Sequence, residues 1–199
     1  MSDPGPLLVV LTGPSGAGKD SVLNVLKQRD RPYHFTITAT TREPRTGEFH
    51  EVDYYFVSKS EFAGMVDRDE LLEHAMVYGQ EKGVPKQPIR LALAAGQDVI
   101  MRTDIQGARH IKSIAPGAIT IFIAPPSSQE LERRLSDRAA DSEEQMDMRL
   151  RIAAEELATA PEFDHTVVND GLDRCANEIE QILDRERGRD GRQPISIDP

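Results

Sequence analysis

The sequence predicts an α/β fold in which a mostly parallel sheet is flanked by helices. Apolar stretches of strand length alternate with amphipathic stretches of helical length over most of the 199 residues. A glycine-rich loop stands between the first apolar stretch and the first helical one. The alternation is broken by a segment rich in Thr, Arg and Gly, which predicts a small β-rich lobe inserted into one core, and again by a polar, charged segment at 138–147.

The elements follow in order along the chain. Strands are predicted where short apolar runs are bounded by turn residues, at 7–12, 34–38, 53–57, 98–103, 118–123 and 165–168. Helices are predicted where apolar residues recur at spacings of three and four, at 19–29, 59–66, 86–95, 106–114, 127–137, 143–159 and 172–186. We expect a core of 1–35, 86–137 and 148–186, a lobe at 36–85, a helical lid at 138–147 and a disordered tail at 187–199.

The glycine-rich loop has the clearest chemical signal. Residues 13–20 read GPSGAGKD and match the phosphate-binding pattern G-x-x-x-x-G-K. The glycines let backbone N–H groups converge on phosphate oxygens, and the start of the following helix adds a positive dipole end. Strand, loop and helix together predict a P-loop NTPase fold that binds a nucleotide through Gly13, Ser15, Gly16, Ala17, Gly18, Lys19, Asp20 and Ser21.

Composition limits the other possibilities. The formal net charge of −10 argues against general binding to nucleic acid or to an anionic membrane. No apolar run approaches membrane-spanning length, and the first residues, MSDPGP, lack the basic and apolar regions of a secretory signal. Cys175 is the single cysteine, which argues against a disulfide or a zinc cluster and predicts a residue on a helix face. We expect a cytoplasmic protein with small-molecule partners, either a monomer or a homodimer.

A second cluster of candidate residues lies in the predicted lobe. Residues 40–48 read TTREPRTGE, and Arg42 and Arg45 stand three residues apart in a turn-prone segment. Two guanidinium groups so placed can bind one phosphate, and the hydroxyl of Tyr54 can add a donor. An isolated pair of arginines is more often solvated surface charge, but beside a phosphate-binding loop we interpret this pair as a second phosphate site.

These motifs belong to a longer set that resembles the guanylate kinase family, whose members transfer the γ-phosphoryl group of ATP to GMP. The matching stretches run from Leu7 to about Leu183 and are GPSGAGK, TTREPRTGE, DYYFV, LLEHAMVYG, DIQGA, APPSSQELERRL and FDHTVVND. Several of them are particular to this family rather than to P-loop proteins at large. The resemblance implies that the inserted lobe binds the acceptor and that the cofactors are ATP and Mg²⁺.

By position, the resemblance implies an acceptor site with two parts. Arg42, Arg45 and Tyr54 would hold the phosphate of the acceptor. Glu73 would read guanine, because a carboxylate accepts two hydrogen bonds from a base edge that presents N1–H and an amino group. The hydroxyl of Thr38 would donate to the guanine carbonyl.

The resemblance also implies which groups act on the transferred phosphoryl group. Lys19, Arg134, Arg138 and Arg149 would stabilise its charge, the three arginines from around the lid, since phosphoryl transfer depends on positioned cations and exclusion of water. Asn169 would lie near the adenine of ATP. A single arginine of this kind is more often a surface residue paired with a glutamate, and Asn169 is explained nearly as well as a turn residue.

Four positions depart from the family pattern in ways that affect the site. Asp20 replaces the Ser or Thr that binds Mg²⁺, and a carboxylate remains a suitable ligand for this ion. Arg102 replaces the first acidic residue of the D-x-D-x-Q-G pattern, so Asp20 and Asp104 are the candidate metal ligands. Lys82 stands where a tyrosine usually contacts the acceptor phosphate, and Val84 stands where a Ser or Thr helps to read guanine.

Two interpretations of these departures stay open. In one, the chain is a working guanylate kinase in which Lys82 takes over a phosphate contact and Arg102 pairs with Asp20 or Asp104. In the other, the added positive charges serve a different phosphorylated acceptor such as ribose 1,5-bisphosphate, whose kinases share the GKDS sequence after their glycine loop. Lys82, Arg102 and Asp104 are predicted to bind the acceptor in both interpretations. A non-catalytic guanylate kinase-like binding domain is a third alternative, which the complete loop disfavours. The intact TTREPRTGE motif favours the first interpretation.

Overall fold

The structure is a computed structural model that describes residues 5–77, 79–136 and 143–197. In chain order, the elements are β1 (Leu8–Thr12), α1 (Lys19–Lys27), β2 (His34–Phe35), β3 (Thr38–Thr40), β4 (Tyr54–Phe56), α2 (Lys59–Asp67), β5 (Leu71–Val77), β6 (Gln80–Pro85), α3 (Lys86–Ala94), β7 (Val99–Arg102), α4 (Ile105–Ile114), β8 (Ile119–Ala124), α5 (Ser128–Ser136), α6 (Glu143–Ala158), β9 (His165–Val168) and α7 (Leu172–Arg187). None of the described helices has the length and apolar character needed to cross a bilayer.

The core is a five-stranded parallel sheet with the order β2-β7-β1-β8-β9. Every residue of β1 is buried, and its successive side chains point to opposite faces of the sheet. Val9 and Leu11 pack with α1 and α7, whereas Leu8 and Val10 pack with α3 and α4. Cys175 is buried on α7 in the first of these clusters. Because helices cover both faces, ligands of such a sheet bind at the carboxyl ends of its strands.

The small lobe is a second sheet with the order β4-β3-β6-β5. β3 and β4 are parallel, whereas β6 is antiparallel to both β3 and β5. This sheet has its own small core, in which Ala39, Phe62 and Leu71 are buried. The two sheets confirm the predicted fold class of a mostly parallel α/β core with a β-rich lobe.

The expected elements differ from the structure at residues 34–38. The single strand predicted at 34–38 is wrong, because β2 ends at Phe35 and pairs with β7 of the core, whereas β3 begins at Thr38 and pairs with β4 and β6 of the lobe. The chain therefore passes from one sheet to the other within this segment. Of the predicted lid, residues 138–142 lie outside the described residues, and α6 begins at Glu143.

The expectation of a disordered tail also differs from the structure between residues 188 and 197. Ile197 is buried in the core cluster that contains Leu8, and Ile195 packs against the same cluster. The guanidinium of Arg192 donates hydrogen bonds to the carbonyl oxygens of Pro6 and Gly5. A segment with few apolar residues is thus held on the core by two of them and by hydrogen bonds from the Arg192 side chain to backbone carbonyls just before β1.

Candidate functional site

The glycine-rich loop connects the end of β1 to the start of α1 and is shaped by its neighbours. Gly13 has a φ of 138°, and a Cβ there would lie 2.2 Å from the carbonyl oxygen of Ile123 on β8. Gly18 has a φ of 90°, and a Cβ there would lie 2.3 Å from Nδ2 of Asn169. Both positions require glycine for backbone conformation and for space. The consensus spacing therefore lets the loop lie against β8 and against the residue that follows β9.

The side chain of Lys19 turns back onto the loop. Its Nζ donates to the carbonyl oxygens of Gly13, at 2.5 Å, and Pro14, at 3.0 Å. Burial lowers the pKa of Lys19, and the nearby carboxyl of Glu156 opposes this change. An anionic phosphate oxygen is a stronger acceptor than a carbonyl, so a bound phosphate can take the ammonium group from these carbonyls.

Arg134 and Asn169 hold the loop from its outer side. Asn169 is buried, and its Nδ2 donates to the carbonyl oxygen of Ala17 at 2.8 Å. Arg134 donates to the same oxygen at 3.3 Å and to the carbonyl oxygen of Asn169 at 3.1 Å, while Glu130 accepts from its Nε at 2.8 Å. A cavity of about 360 Å³ lies here, and its lining includes Gly18, Ser21, Arg134 and Asn169.

A carboxylate that no sequence motif indicates lies at the loop. Glu156 on α6 accepts a hydrogen bond from the backbone N–H of Ser15 at 3.3 Å. Burial raises the pKa of Glu156, whereas the Ser15 N–H and the charge of Lys19 lower it. A carboxylate thus contacts one of the loop amides that we expect to bind phosphate. No motif links Glu156 to the loop, since 141 residues separate it from Ser15.

A second cavity, of about 220 Å³, lies between the loop and the lobe. Lys19 of the loop lines it together with residues that the sequence analysis assigned to the acceptor, namely Thr38, Tyr54, Glu73, Lys82, Arg102 and Asp104. Together with Lys19, these residues come from six separate elements and from the segment between β7 and α4. The fold therefore brings together a donor-loop lysine and most of the predicted acceptor site.

Glu73 lines this cavity with a carboxyl group whose pKa is raised far above its ordinary value. Burial raises the pKa of its carboxyl to about 7, and the negative charge of Asp104 adds to this effect. A hydrogen bond from Thr103 opposes the shift, since Oγ1 of Thr103 donates to Oε1 of Glu73 at 3.2 Å. Thr103 also lines the cavity, and the sequence analysis did not identify it.

Within the described part of the chain, Arg42 and Arg45 lie outside the lining of this cavity. The guanidinium of Arg42 donates to both carboxylate oxygens of Glu48, at 2.6 Å each, and lies 4.8 Å from the centre of the Tyr54 ring. This bidentate pair holds the pKa of Glu48 at about 2. Arg45 is exposed, and its backbone N–H donates to the same carboxylate at 2.8 Å. The predicted pair of phosphate-binding arginines thus surrounds an acidic side chain of its own segment.

The structure also places Arg102, Asp104 and Val84 in distinct surroundings. Arg102 forms an ion pair with Asp20 at 2.6 Å, which decides between the two partners that the sequence left open. Asp104 caps α4, because its Oδ1 accepts from the backbone N–H of Gly107 at 2.8 Å. Val84 is buried in the core cluster and presents no polar group.

Two of the predicted lid arginines remain, Arg138 and Arg149. Arg149 is half-buried on α6. Arg138 lies outside the described residues.

The combination of a phosphate-binding loop and a β-rich lobe is shared with known proteins. The sequence profile that describes the guanylate kinases matches residues 6–186. The chain belongs to the guanylate kinase family. Its structure superposes on a crystal structure of guanylate kinase from Anaplasma phagocytophilum with a TM-score of 0.76 and 31% identity, covering 97% of this chain and 92% of that one.

Curated members of the guanylate kinase family are similar over most of the chain. A guanylate kinase from Carboxydothermus hydrogenoformans is 44% identical, covering 91% of this chain and 89% of the relative. Guanylate kinase 2, chloroplastic/mitochondrial, from Oryza sativa subsp. japonica is 41% identical, covering 98% and 69%. A guanylate kinase from Xylella fastidiosa is 42% identical, covering 94% and 92%. These matches confirm the resemblance found from the motifs and do not favour a different acceptor.

Proposed function

We propose that the chain transfers the γ-phosphoryl group of ATP to GMP or dGMP, giving ADP and the corresponding nucleoside diphosphate. The observation that carries this proposal is the cavity in which Lys19 of the loop meets Thr38, Tyr54 and Glu73 of the lobe. It joins the end of a phosphate-binding loop to a half-buried carboxyl group that can read guanine. Membership of the guanylate kinase family supports the same reaction.

The donor side would bind ATP through the loop amides and Lys19. On binding, the ammonium group of Lys19 would leave the carbonyls of Gly13 and Pro14 for the outer phosphates. The carboxylate of Glu156 would have to leave the Ser15 amide, because a phosphate and a carboxylate repel each other there. We infer that the cavity beside Asn169 receives the adenine.

The acceptor side would bind GMP in two places. The phosphate would compete with Glu48 for the guanidinium of Arg42, with Arg45, Tyr54 and Lys82 as further donors. At the base, Glu73 would accept from N1–H and the amino group, and Thr38 would donate to the carbonyl. Adenine has no N1–H and no carbonyl, so this arrangement selects guanine.

For this reaction the protein has to supply little beyond the positioning of the two substrates and positive charge. The attacking oxygen belongs to a phosphate that is already anionic, so no general base is required. Lys19 and Arg134 would stabilise the charge on the transferred group, together with Arg138 and Arg149 from around the lid. Arg102 would lie at the boundary of the two substrates, since it lines the acceptor cavity and pairs with Asp20 in the first turn of α1.

The residues near the loop fit a Mg²⁺ ion that arrives with ATP. Mg²⁺ is usually held by one or two carboxylates together with substrate phosphates, and a cage made only of protein ligands is not required. Among the described residues, no group of three or more His, Cys, Asp or Glu could form such a cage. Asp20 would hold the ion after leaving Arg102, and Asp104 would be the second carboxylate. The ion would supply positive charge that offsets the charge of the donor phosphates.

A coupled assay of ADP release tests the proposal. The acceptor panel would contain GMP, dGMP, AMP, UMP, CMP and ribose 1,5-bisphosphate, with ATP and Mg²⁺ in each reaction. We expect turnover with GMP and dGMP above all others. Turnover with ribose 1,5-bisphosphate but not with GMP would overturn the proposal in favour of the second acceptor. Nucleotide binding without turnover on any acceptor would indicate a binding domain. The cytoplasmic location and the oligomeric state stay predictions.

A further inference from the structure

Thr103 lies between the last residue of β7 and the cap residue of α4, at the edge of the acceptor cavity. Its hydroxyl is 3.2 Å from Oε1 of Glu73, and both residues line the cavity. We propose that Thr103 is a specificity-determining positioning residue, whose hydroxyl fixes the orientation of the Glu73 carboxylate toward the guanine edge. This inference rests on the proposed function, in which Glu73 reads the base.

The direction of the hydrogen bond supports this role. An ionised carboxylate only accepts, so the Thr103 hydroxyl must donate to Glu73 when the base is bound. A carboxylate has about four acceptor positions, so one donor on Oε1 leaves room for the two that guanine presents. The hydroxyl therefore anchors the carboxylate without competing with the ligand.

Packing from α4 supports the same conclusion. A Cβ at Gly107 would lie 2.2 Å from Oγ1 of Thr103 and 3.0 Å from Oε2 of Glu73. The first turn of α4 thus lies directly against both partners, and only glycine leaves them space. The N–H of Gly107 donates to Asp104, which fixes this turn in place. Thr103 and Glu73 are held between the lobe strand β5 and a capped helix of the core.

The strand opposite Glu73 does not supply a hydroxyl. Val84 pairs with Glu73 in the register of β5 and β6, and it is buried in the core. The Ser or Thr that the family pattern places at this position is therefore missing. Thr103 provides a hydroxyl to the reading carboxylate from the α4 side instead.

The test compares Thr103→Val, which removes the hydroxyl at nearly constant shape, with Thr103→Ser, which keeps it. For Thr103→Val we expect the KM for GMP to rise by about tenfold, with kcat at saturating GMP and the KM for ATP unchanged. The KM for inosine monophosphate, which lacks the 2-amino group, should rise less, so the preference for GMP falls. Thr103→Ser should keep the wild-type KM and preference.

Three results would overturn the inference. The first is an unchanged KM for GMP in Thr103→Val. The second is an equal rise of this KM in Thr103→Val and in Thr103→Ser. The third is a change in kcat and in the KM for ATP that is as large as the change in the KM for GMP. Thermal unfolding of each variant checks that it is folded, and Thr103→Ala replaces Thr103→Val if the latter is not.

Glu73→Gln separates this inference from the proposed function. If Glu73→Gln leaves the KM for GMP unchanged, guanine reading by Glu73 fails and the role of Thr103 fails with it. If Glu73→Gln raises that KM but Thr103→Val does not, only the role of Thr103 is overturned.

Discussion

The donor loop and the acceptor cavity meet at Lys19 but are built in different ways. The loop motif is one stretch of eight residues, six between β1 and α1 and the first two of α1, and its conformation is set by positive φ angles and by contacts with β8 and Asn169. The acceptor cavity is assembled from side chains of the loop helix, four lobe strands and the end of β7. A contiguous loop can be recognised from its sequence, whereas the properties of an assembled cavity depend on which segments the fold brings together.

The charges of the two regions also differ in their partners. Lys19 of the donor loop is bound by backbone carbonyls, which cannot move away without distorting the loop. In the acceptor region, Arg42 is bound by Glu48 and Arg102 by Asp20, and these carboxylates are on side chains that can rotate. The position of Lys19 is therefore set by the backbone of the loop, whereas Arg42 and Arg102 have side-chain partners that a bound substrate can replace.

The largest expected effect comes from the residue that joins the two regions. Lys19→Met should lower kcat by about 10³-fold, because the transferred phosphoryl group loses a positioned cation in a site that excludes water. Lys27→Met, in the last turn of the same helix and exposed, is the matched control and should leave kcat unchanged. The ADP-release assay measures both, and a kcat for Lys19→Met within about tenfold of wild type would remove Lys19 from the mechanism.

The next largest effect comes from replacing one glycine in each region by alanine and comparing the losses of stability. Gly18 and Gly47 have nearly the same φ, 90° and 89°, but only a Cβ at Gly18 would collide, with Asn169. Gly47→Ala should cost about 1 kcal/mol of unfolding free energy from backbone strain alone. Gly18→Ala should cost about 3 kcal/mol, because a steric term is added, and it should raise the KM for ATP. Denaturant unfolding measures both losses, and equal values would show that Asn169 does not constrain the loop.

A smaller effect concerns the pH dependence of the acceptor region. The pKa of Glu73 is raised to about 7, and guanine presents donors that only the ionised form accepts fully. The KM for GMP should therefore be constant above pH 7 and rise by about tenfold for each pH unit below it. The KM for ATP should not follow this profile. Glu73→Gln is the control, and the acid limb should disappear in it; its persistence would assign the titration to another group.

The raised pKa of Glu73 affects folding stability in the opposite direction, because it favours the folded state at low pH rather than at high pH. The ordinary pKa of the Glu73 carboxyl is 4.5, so the folded protein retains this proton over a range in which the unfolded chain has lost it. The contribution to stability is complete below about pH 4.5 and is lost as the pH rises through about 7.

The smallest effect is expected at Asp20. Its ion pair with Arg102 is partly exposed, so Asp20→Ser should change the unfolding free energy by less than about 1 kcal/mol. Because serine can also bind Mg²⁺, turnover should persist with a shifted dependence on Mg²⁺ concentration. A Mg²⁺ titration at fixed ATP measures the shift. An unchanged profile would show that this carboxylate is not at the metal.

Much of the fold and part of the site could be predicted from local patterns. The buried run at β1 and the loop after it have signals within single segments, and the fold class followed from them. The division of 34–38 between two sheets had no such signal, because strand pairing depends on residues far along the chain. The packing of Ile197 on the core was missed because a short apolar segment gains its stability from partners elsewhere.

The sequence alone determined that a phosphate-binding loop and a guanylate kinase acceptor motif are present, because each consists of consecutive residues that form a recognisable pattern. Only the tertiary structure decided that Arg102 pairs with Asp20, that Glu156 contacts the loop, and that Thr103 donates to Glu73. These contacts join residues that are far apart in the chain, so no local pattern encodes them. The raised pKa of Glu73 has the same origin, because burial and the charge of Asp104 act on it only after folding.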